Sequence, residues 1–255
     1  MNGQHRIRSL SPPQPEEVHV WIAIGNCPTF VLEAFQETLS LQELCRARRF
    51  RFDRHRMRYI FSRGVLRAIL AQYLRCEPKD LDFQFNEFGK PHLSKAISPV
   101  PELTFNVSHS EDLVILATAV NRSIGVDSEF VRPVEDFERI AYLYFTNAER
   151  ALIQAASDNK KEHVFLSYWT RKEAYVKAVG KGLSIPLNSF ETTIPIGMCG
   201  IRMPVARDSQ KVAWWLPDLE MPRGYVGSLV VEGAAPRIKY LEWHHNKMMP
   251  PDKRP

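Results

Sequence analysis

Apolar residues in the first half of the chain alternate in the way that predicts β-strands, with two helical stretches among them. The predicted strands cover residues 18–24, 82–86, 103–110 and 113–120. Helical spacing covers residues 30–52, with a break near Ser40, and residues 53–74. Because a short connection joins the last two strands, the pattern also predicts a hairpin there.

The second half repeats this mixture of elements. Thr146-Asn147-Ala148-Glu149 is a capping box and predicts the start of a helix that reaches about residue 156. The other predicted elements are a strand at 123–129, helices at 134–142 and 161–179, and strands at 190–194, 212–216, 225–231 and 238–242. Both halves therefore combine a few helices with a small, mostly antiparallel sheet, which predicts an α+β fold.

Length and composition favour a globular chain with a real core, since 255 residues with 44% hydrophobic content can bury one. We predict four segments, which are a flexible leader (1–17), an N-terminal half (18–121), a C-terminal half (122–243) and a flexible tail (244–255). The four cysteines show neither a C-x-x-C pair nor a zinc-type spacing, and no apolar run is long enough to span a membrane. These features predict a soluble, cytoplasmic protein with reduced thiols.

A formal charge of +5 favours an acidic partner, which leaves nucleic acid, a phosphorylated small molecule and an acidic protein open. The densest basic region comprises Arg46, Arg48, Arg49, Arg51, Arg54, Arg56, Arg58, Arg63 and Arg67. A solvated helix face is the ordinary interpretation of any one of these arginines. Nucleic-acid binding and an arginine fork for a compact phosphate are the functional alternatives.

Two further basic positions lie at the ends of predicted strands. Lys90 and Pro91 fall in the sequence EFGKPHL, which predicts a turn, and His109 stands between Ser108 and Ser110 at the end of LTFNVSHS. Taken alone, each pattern is more often structural than functional.

Acidic residues appear at a strand end and on a helix. Asp127 and Glu129 close the strand SIGVDSE, and a period of two sends both carboxylates to one side. On the predicted helix in SYWTRKEAYVKAVGKGL, Trp169, Glu173 and Lys177 recur every four residues, and Gly180 stops the helix. A solvated strand end and a surface ion pair explain these patterns equally well when each is taken alone.

Together the three carboxylates suggest a hard cation, Mg²⁺ above all, which binds oxygen ligands and substrate phosphates. Lys177 could neutralise a phosphate on the same metal, and Arg58, Lys90 and His109 suit additional phosphates. The implied chemistry is displacement at a phosphate or pyrophosphate. The sequence contains neither a Walker phosphate loop nor a dinucleotide-binding glycine motif, which disfavours ordinary nucleotide enzymes.

Four motifs in order, FGKPHL, FNVSHS, GVDSE and WTRKEAYVKAVGKGL, closely resemble the Sfp-type 4′-phosphopantetheinyl transferases, and the likeness runs from about residue 46 to 190. The resemblance implies a monomer of two pseudo-symmetric α+β halves with coenzyme A in the cleft between them. It implies a holo-[acyl-carrier-protein] synthase type of enzyme for fatty-acid, polyketide or nonribosomal-peptide biosynthesis. Such enzymes transfer the phosphopantetheine arm of coenzyme A to a serine of an apo acyl or peptidyl carrier protein, releasing 3′,5′-ADP.

The resemblance also implies a role for each site residue. Asp127, Glu129 and Glu173 would hold Mg²⁺, Glu173 would be the general base, and Lys177 would stabilise the pyrophosphate. Lys90 and Pro91 would lie along the adenine and ribose, while Arg58, Ser108 and His109 would face the 3′-phosphate. Ser128 departs from the family, which usually has an apolar or acidic residue there, and strand alternation predicts that it points away from the metal.

Two alternatives belong to other classes of protein. A basic nucleic-acid-binding protein would bind DNA or RNA with a steep salt dependence. A non-catalytic relative would bind coenzyme A or a carrier protein without turnover. Neither nucleic acid nor a membrane is an expected partner, and the motifs leave the identity of the carrier open.

Overall fold

Two β-sheets share an apolar core, and each sheet packs its other side against helices. The computed structural model describes residues 10–94, 96–97, 102–193 and 213–244. Residues from both sheets, including Val20, Ile115, Val126 and Leu229, form one buried cluster between them. The result is a layered α+β fold, as the sequence predicts.

The N-terminal part contains most of the first sheet and the helices that cover it. Its elements are β1 (Glu17–Ile24), α1 (Thr29–Gln36), α2 (Leu41–Arg48), α3 (Asp53–Leu74), β2 (Phe83–Phe85), β3 (Pro91–Leu93), β4 (Leu103–Ser110) and β5 (Leu113–Val120). The predicted break near Ser40 is the start of α2, where Ser40 and Glu43 form a capping box. The predicted bounds of α3 are confirmed.

The C-terminal part contains the second sheet and the other long helix. Its elements are β6 (Ile124–Phe130), α4 (Phe137–Tyr144), α5 (Asn147–Ala155), α6 (Lys161–Val179), β7 (Trp214–Trp215), β8 (Tyr225–Glu232) and β9 (Arg237–Trp243). The capping box at Thr146 and the bounds of α6 are confirmed, and Gly180 ends α6 with a φ of 74°.

The first sheet has the strand order β4-β5-β1-β9, and the second has β6-β8-β7. The predicted β4–β5 hairpin is confirmed, and its strands pair antiparallel. In contrast, β9 runs parallel to β1, with Glu17 opposite Arg237. The last strand of the described chain therefore completes the N-terminal sheet, while the division into two halves stays a prediction.

Several predicted elements differ from the structure: the helix predicted to reach residue 52 ends at Arg48, and within the described residues the strand predicted at 212–216 is only Trp214–Trp215. The strand at 190–194 is wrong for residues 190–193, because buried side chains bond this segment in place of a partner strand: Glu149 accepts from the Thr192 amide, and Lys172 donates to the Phe190 carbonyl. The turn predicted at EFGKPHL ends in a short strand, β3, which pairs with β2. The helix predicted at 134–142 begins later, after Asp136 adopts a φ of 57°.

Parts of other predictions lie outside the described residues. They are positions 1–9 of the leader, positions 245–255 of the tail, residue 194, residue 212 and Cys199. The three described cysteines, Cys27, Cys45 and Cys76, are free thiols.

One arginine of the basic region is part of the core. Arg67 is 1% exposed, donates to Glu43 and to the carbonyls of Pro78 and Leu81, and so satisfies its guanidinium group internally. Arg63 also pairs with Glu43. The interpretation of this region as a solvated face is therefore wrong for Arg67, which links α3 to α2.

Candidate active site

A glycine brings the acidic strand end and the acidic helix together. A Cβ atom on Gly125 of β6 would lie 2.0 Å from the carbonyl oxygen of Ala174 and 2.4 Å from the amide nitrogen of Ala178. Only glycine permits so close an approach of α6 to β6. This approach places Glu173 and Lys177 of α6 beside the end of β6.

The two carboxylates of β6 bond to hydroxyls of β4 on the same side of the strand. Ser108 donates from Oγ to Oδ1 of Asp127 at 2.8 Å, and Ser110 donates to Oε2 of Glu129 at 2.8 Å. Lys177 of α6 places its Nζ 2.6 Å from Oδ1 of Asp127. One residue of the helix and one of the strand are therefore in direct contact.

Polar side chains at every second position of β4 join the two sheets, a feature that the sequence pattern alone did not reveal. Oδ1 of Asn106 accepts from the Val126 amide at 2.8 Å. Oγ of Ser108 accepts from the Ser128 amide at 3.2 Å, and Oγ of Ser110 accepts from the Phe130 amide at 3.0 Å. These three side chains take the place of a neighbouring strand for β6. The signal in the sequence is the alternation Asn-x-Ser-x-Ser.

Glu173 lies near two other carboxylates, those of Asp127 and Glu129, and near the ammonium of Lys177. Burial raises the pKa of Glu173 most, the charge of Asp127 raises it further, and Lys177 partly offsets both. Burial likewise raises the pKa of Glu129, with a bond from Ser110 opposing this and the charge of Asp127 adding to it. A half-buried carboxyl with a raised pKa is suited to accepting a proton near neutral pH.

The basic residues predicted for a 3′-phosphate are His109, on the face of β4 opposite to Ser108, and Arg58, which reaches the β4–β5 turn from α3. The His109 side chain is exposed; partial loss of water around its ring lowers its pKa most, Lys177, Arg46 and Arg58 lower it further, and Asp127 opposes them. Arg58 bonds to Asp112 at 2.9 Å and to Glu111 at 2.6 Å, so acidic residues already balance its charge. Ser108 points the other way, to Asp127, and its hydroxyl lies with the carboxylates and away from His109.

Lys90 forms hydrogen bonds with the backbone of two other elements. Its Nζ donates to the carbonyls of Ile124 at 3.0 Å and Ala178 at 3.1 Å. Burial lowers its pKa to about 8. Lys90 therefore connects the β2–β3 hairpin to the start of β6 and the end of α6.

A cleft of about 250 Å³ opens between this hairpin, β4 and the end of α6. Four of the predicted site residues line it, namely Lys90, Pro91, Glu173 and Lys177. The other five, Arg58, Ser108, His109, Asp127 and Glu129, are not among its lining residues, although Asp127 bonds directly to Lys177.

The carboxylate oxygens of this site are the donors that a hard cation prefers, although they do not surround one common point. Within the described ranges, no three Asp, Glu, His or Cys side chains converge closely enough to hold a metal ion as they lie. However, Oδ2 of Asp127 is buried and has no hydrogen-bond partner among the residues described. A buried, unpartnered carboxylate oxygen next to two further carboxylates is an arrangement that a cation would stabilise.

Trp169 and Ser128 stand outside this chemistry. Trp169 packs against Tyr144 and Phe145 at the end of α4, and it stacks on Phe165 one turn earlier in its own helix, so it fixes α6 against α4. The hydroxyl of Ser128 is buried, and the described part of the chain offers it no hydrogen-bond partner. The carboxylates on either side of it bond instead to β4, so the hydroxyl of Ser128 takes no part in their contacts.

Comparison with known proteins tests the resemblance. Two family models match, "4'-phosphopantetheinyl transferase, N-terminal" over residues 29–121 and "4'-phosphopantetheinyl transferase superfamily" over residues 123–221. The chain is 36% identical over 230 residues to the 4′-phosphopantetheinyl transferase HetI of Nostoc sp., covering 90% of this chain and 93% of the relative. The chain belongs to the 4′-phosphopantetheinyl transferase family.

Another relative supports the assignment. The 4′-phosphopantetheinyl transferase Sfp of Bacillus subtilis is 30% identical over 173 residues, covering 68% of this chain and 74% of the relative. The predictions of the family, of the α+β fold and of a transferase that moves phosphopantetheine from coenzyme A to carrier proteins are confirmed. None of the described helices of this transferase combines the length and apolarity that crossing a bilayer requires.

Proposed function

We propose that this phosphopantetheinyl transferase uses Mg²⁺ and that its reaction takes place where α6 meets β6. The observation that carries the proposal is the 2.6 Å contact between Lys177 of the helix and Asp127 of the strand, with Glu129 and Glu173 close enough for their charges to act on each other. Asp127, Glu129 and Glu173 would hold the ion. When bound, Mg²⁺ would neutralise charge on the coenzyme A pyrophosphate.

The reaction joins the oxygen of a carrier serine to the phosphorus at the pantetheine end of the pyrophosphate. The bond from that phosphorus to the bridging oxygen breaks, and 3′,5′-ADP leaves with the bonding electron pair. Glu173 would accept the proton of the serine, because its raised pKa suits a base near neutral pH. Lys177 would neutralise the pyrophosphate and the departing ADP.

The remaining roles concern the nucleotide end of coenzyme A. Arg58 and His109 would face the 3′-phosphate, since His109 lies close enough to Arg46 and Arg58 for their charges to act on it. Pro91 in the wall of the cleft would lie along the adenine or ribose. Ser108 would act through Asp127, to which it donates, and the protein would function as a monomer.

The test combines purified protein, coenzyme A, Mg²⁺ and a panel of apo carrier proteins, and measures intact carrier mass. The expected result is a gain of one phosphopantetheine on at least one carrier, which disappears when EDTA removes the metal. Glu173→Gln should abolish transfer, while Glu162→Gln, a matched change in the first turn of the same helix, should not. No mass gain on any carrier would contradict the proposal. Coenzyme A binding without turnover would favour a non-catalytic relative.

A further inference from the structure

Two side chains of the β2–β3 hairpin reach across the cleft and bind the end of α6. Nζ of Lys90 donates to the carbonyl of Ala178 at 3.1 Å, and Nδ2 of Asn86 donates to the carbonyl of Gly180 at 2.7 Å. The last carbonyls of a helix have no partner within it, and their partial negative charge favours a cation. The hairpin thus supplies a C-terminal cap from a distant part of the chain.

Gly180 makes room for this cap. Its φ of 74° suits glycine, and a Cβ atom there would lie 3.2 Å from Cδ of Lys90 and 3.3 Å from Nδ2 of Asn86. The stem of Lys90 therefore packs directly under the end of the helix. Glycine at this position thus permits both the positive φ that ends the helix and the close contact with the hairpin.

Asn86 also shapes the hairpin itself. Its Oδ1 accepts from the amide of Phe88 at 3.0 Å and from the amide of Lys90 at 2.8 Å. One carboxamide group thus uses its oxygen to fold the turn and its nitrogen to bind α6. The turn fixes the backbone of Lys90, and the carbonyls of Ile124 and Ala178 fix the direction of its ammonium.

The second bond of Lys90 connects the cap to the reacting groups. Nζ also donates to the carbonyl of Ile124 at 3.0 Å, so one ammonium joins the start of β6 to the end of α6. Ala178 directly follows Lys177, whose Nζ lies 2.6 Å from Asp127 of the same strand. The position of Lys177 over β6 therefore depends on the contact that Lys90 maintains.

We propose that Asn86 and Lys90 are positioning residues for the transfer reaction, which hold the end of α6 against β6 and so keep Lys177 beside Asp127. The inference rests on the proposed function. It assigns to Lys90 a role different from the nucleotide contact expected from the resemblance, because its ammonium is already bonded to two backbone carbonyls.

Two variants remove the cap in different ways. Lys90→Met keeps most of the stem and removes the ammonium, and Asn86→Asp keeps the oxygen that folds the turn and removes the donor to Gly180. We expect each to lower kcat roughly tenfold or more, because small displacements of a catalytic group have large effects. The Kd for coenzyme A should change by less than about threefold, since neither side chain is proposed to contact it. Lys79→Met, the same change at an exposed lysine, should leave both values unchanged.

The decisive experiment is a double-mutant cycle with Lys177→Ala. If Lys90 acts through Lys177, Lys90→Met should reduce kcat by less than about twofold once Lys177 is absent. If the two substitutions instead reduce kcat independently, so that their fold-reductions multiply, the inference is wrong. A raised Kd for coenzyme A with a normal kcat would also overturn it. Asn86→Asp repeats the cycle with a second variant in case Lys90→Met folds poorly, and thermal unfolding of each variant checks this. An inactive wild-type protein would instead contradict the proposed function.

Discussion

Two neighbouring residues of α6, Lys172 and Glu173, lie in opposite electrostatic settings. Lys172 is 0% exposed and pairs at 2.8 Å with Glu149, while it donates to the carbonyls of Leu187 and Phe190. Glu173 instead faces Asp127 and Glu129, which are like charges. The protein satisfies the first cluster fully and so holds the fold together, whereas Lys177 and two serines satisfy the second only in part and leave Oδ2 of Asp127 without a partner among the described residues.

The largest effect should come from breaking the satisfied cluster. Lys172→Met leaves Glu149 buried without its cation, so we expect a loss of about 3–5 kcal/mol in the free energy of unfolding. Urea titration followed by circular dichroism measures it. Glu173→Gln should leave this free energy unchanged or raise it, because it removes a like charge.

Lys161→Met serves as the control for that prediction. Lys161 also pairs with an acidic residue, Asp158, but their contact is at the surface. Little change in unfolding is expected from this variant. Equal losses for Lys161→Met and Lys172→Met would remove the distinction drawn between the two clusters.

A smaller effect should follow from separating α6 from β6. Gly125→Ala puts a Cβ atom against backbone, so the helix must move, and we expect a loss of about 1–3 kcal/mol in unfolding free energy together with reduced transfer. Gly227→Ala is the milder comparison in the adjacent strand, because its Cβ meets the flexible end of Met221 at 2.7 Å and comes no closer to backbone than 3.1 Å, at the carbonyl of Asp127. Normal transfer by a folded Gly125→Ala protein would show that the approach of α6 does not position the site.

The stability of the protein should depend on pH through His19, a buried histidine whose neutral form is favoured in the folded state. It bonds to Tyr73, with Glu17 and Lys239 nearby, and burial and then Lys239 lower its pKa below the usual value of about 6.5. The unfolded chain therefore binds this proton more readily, so stability should fall as pH drops below about 6.5. Urea midpoints at pH 7.5 and 5.5 should differ less in His19→Gln than in the wild type. The exposed change His163→Gln should not reduce the difference.

The smallest effect is expected at Ser128. Ser128→Ala removes a buried hydroxyl that the described residues leave without a partner, so unfolding free energy should stay the same or rise by up to about 1 kcal/mol. Transfer should be unchanged because the hydroxyl makes no contact with the carboxylates beside it. A loss of transfer, measured as carrier mass, would place Ser128 in the reacting cluster after all.

Local patterns predicted much of the fold because local physics sets those parts. The bounds of α6 follow from the spacing of its apolar residues and from the glycine that follows it. The capping box at Thr146 predicts the start of α5. The sides to which Asp127 and Glu129 point follow from strand alternation. These features depend on residues close together in the chain.

The features of the fold and site that local patterns do not predict depend on contacts between residues far apart in the chain. The sequence FETTI is rich in aromatic and β-branched residues and so predicts a strand, and nothing near residue 190 indicates that Lys172 and Glu149 bond to its backbone instead. The bonds from Lys90 to Ile124 and Ala178 likewise connect positions far apart in the chain. Short-range patterns carry no information about such partners.

The pairing of β9 with β1 has a consequence for how the chain reaches its native state. Arg237 bonds to Glu17 across a separation of 220 residues. On a ribosome, β1 would emerge long before its parallel neighbour, and one edge of β1 would wait uncovered until nearly the whole described chain had been synthesised. Contacts so distant raise the contact order, and high contact order slows folding. The first sheet can therefore be completed only after β9 has been synthesised, so its assembly is a late step in folding.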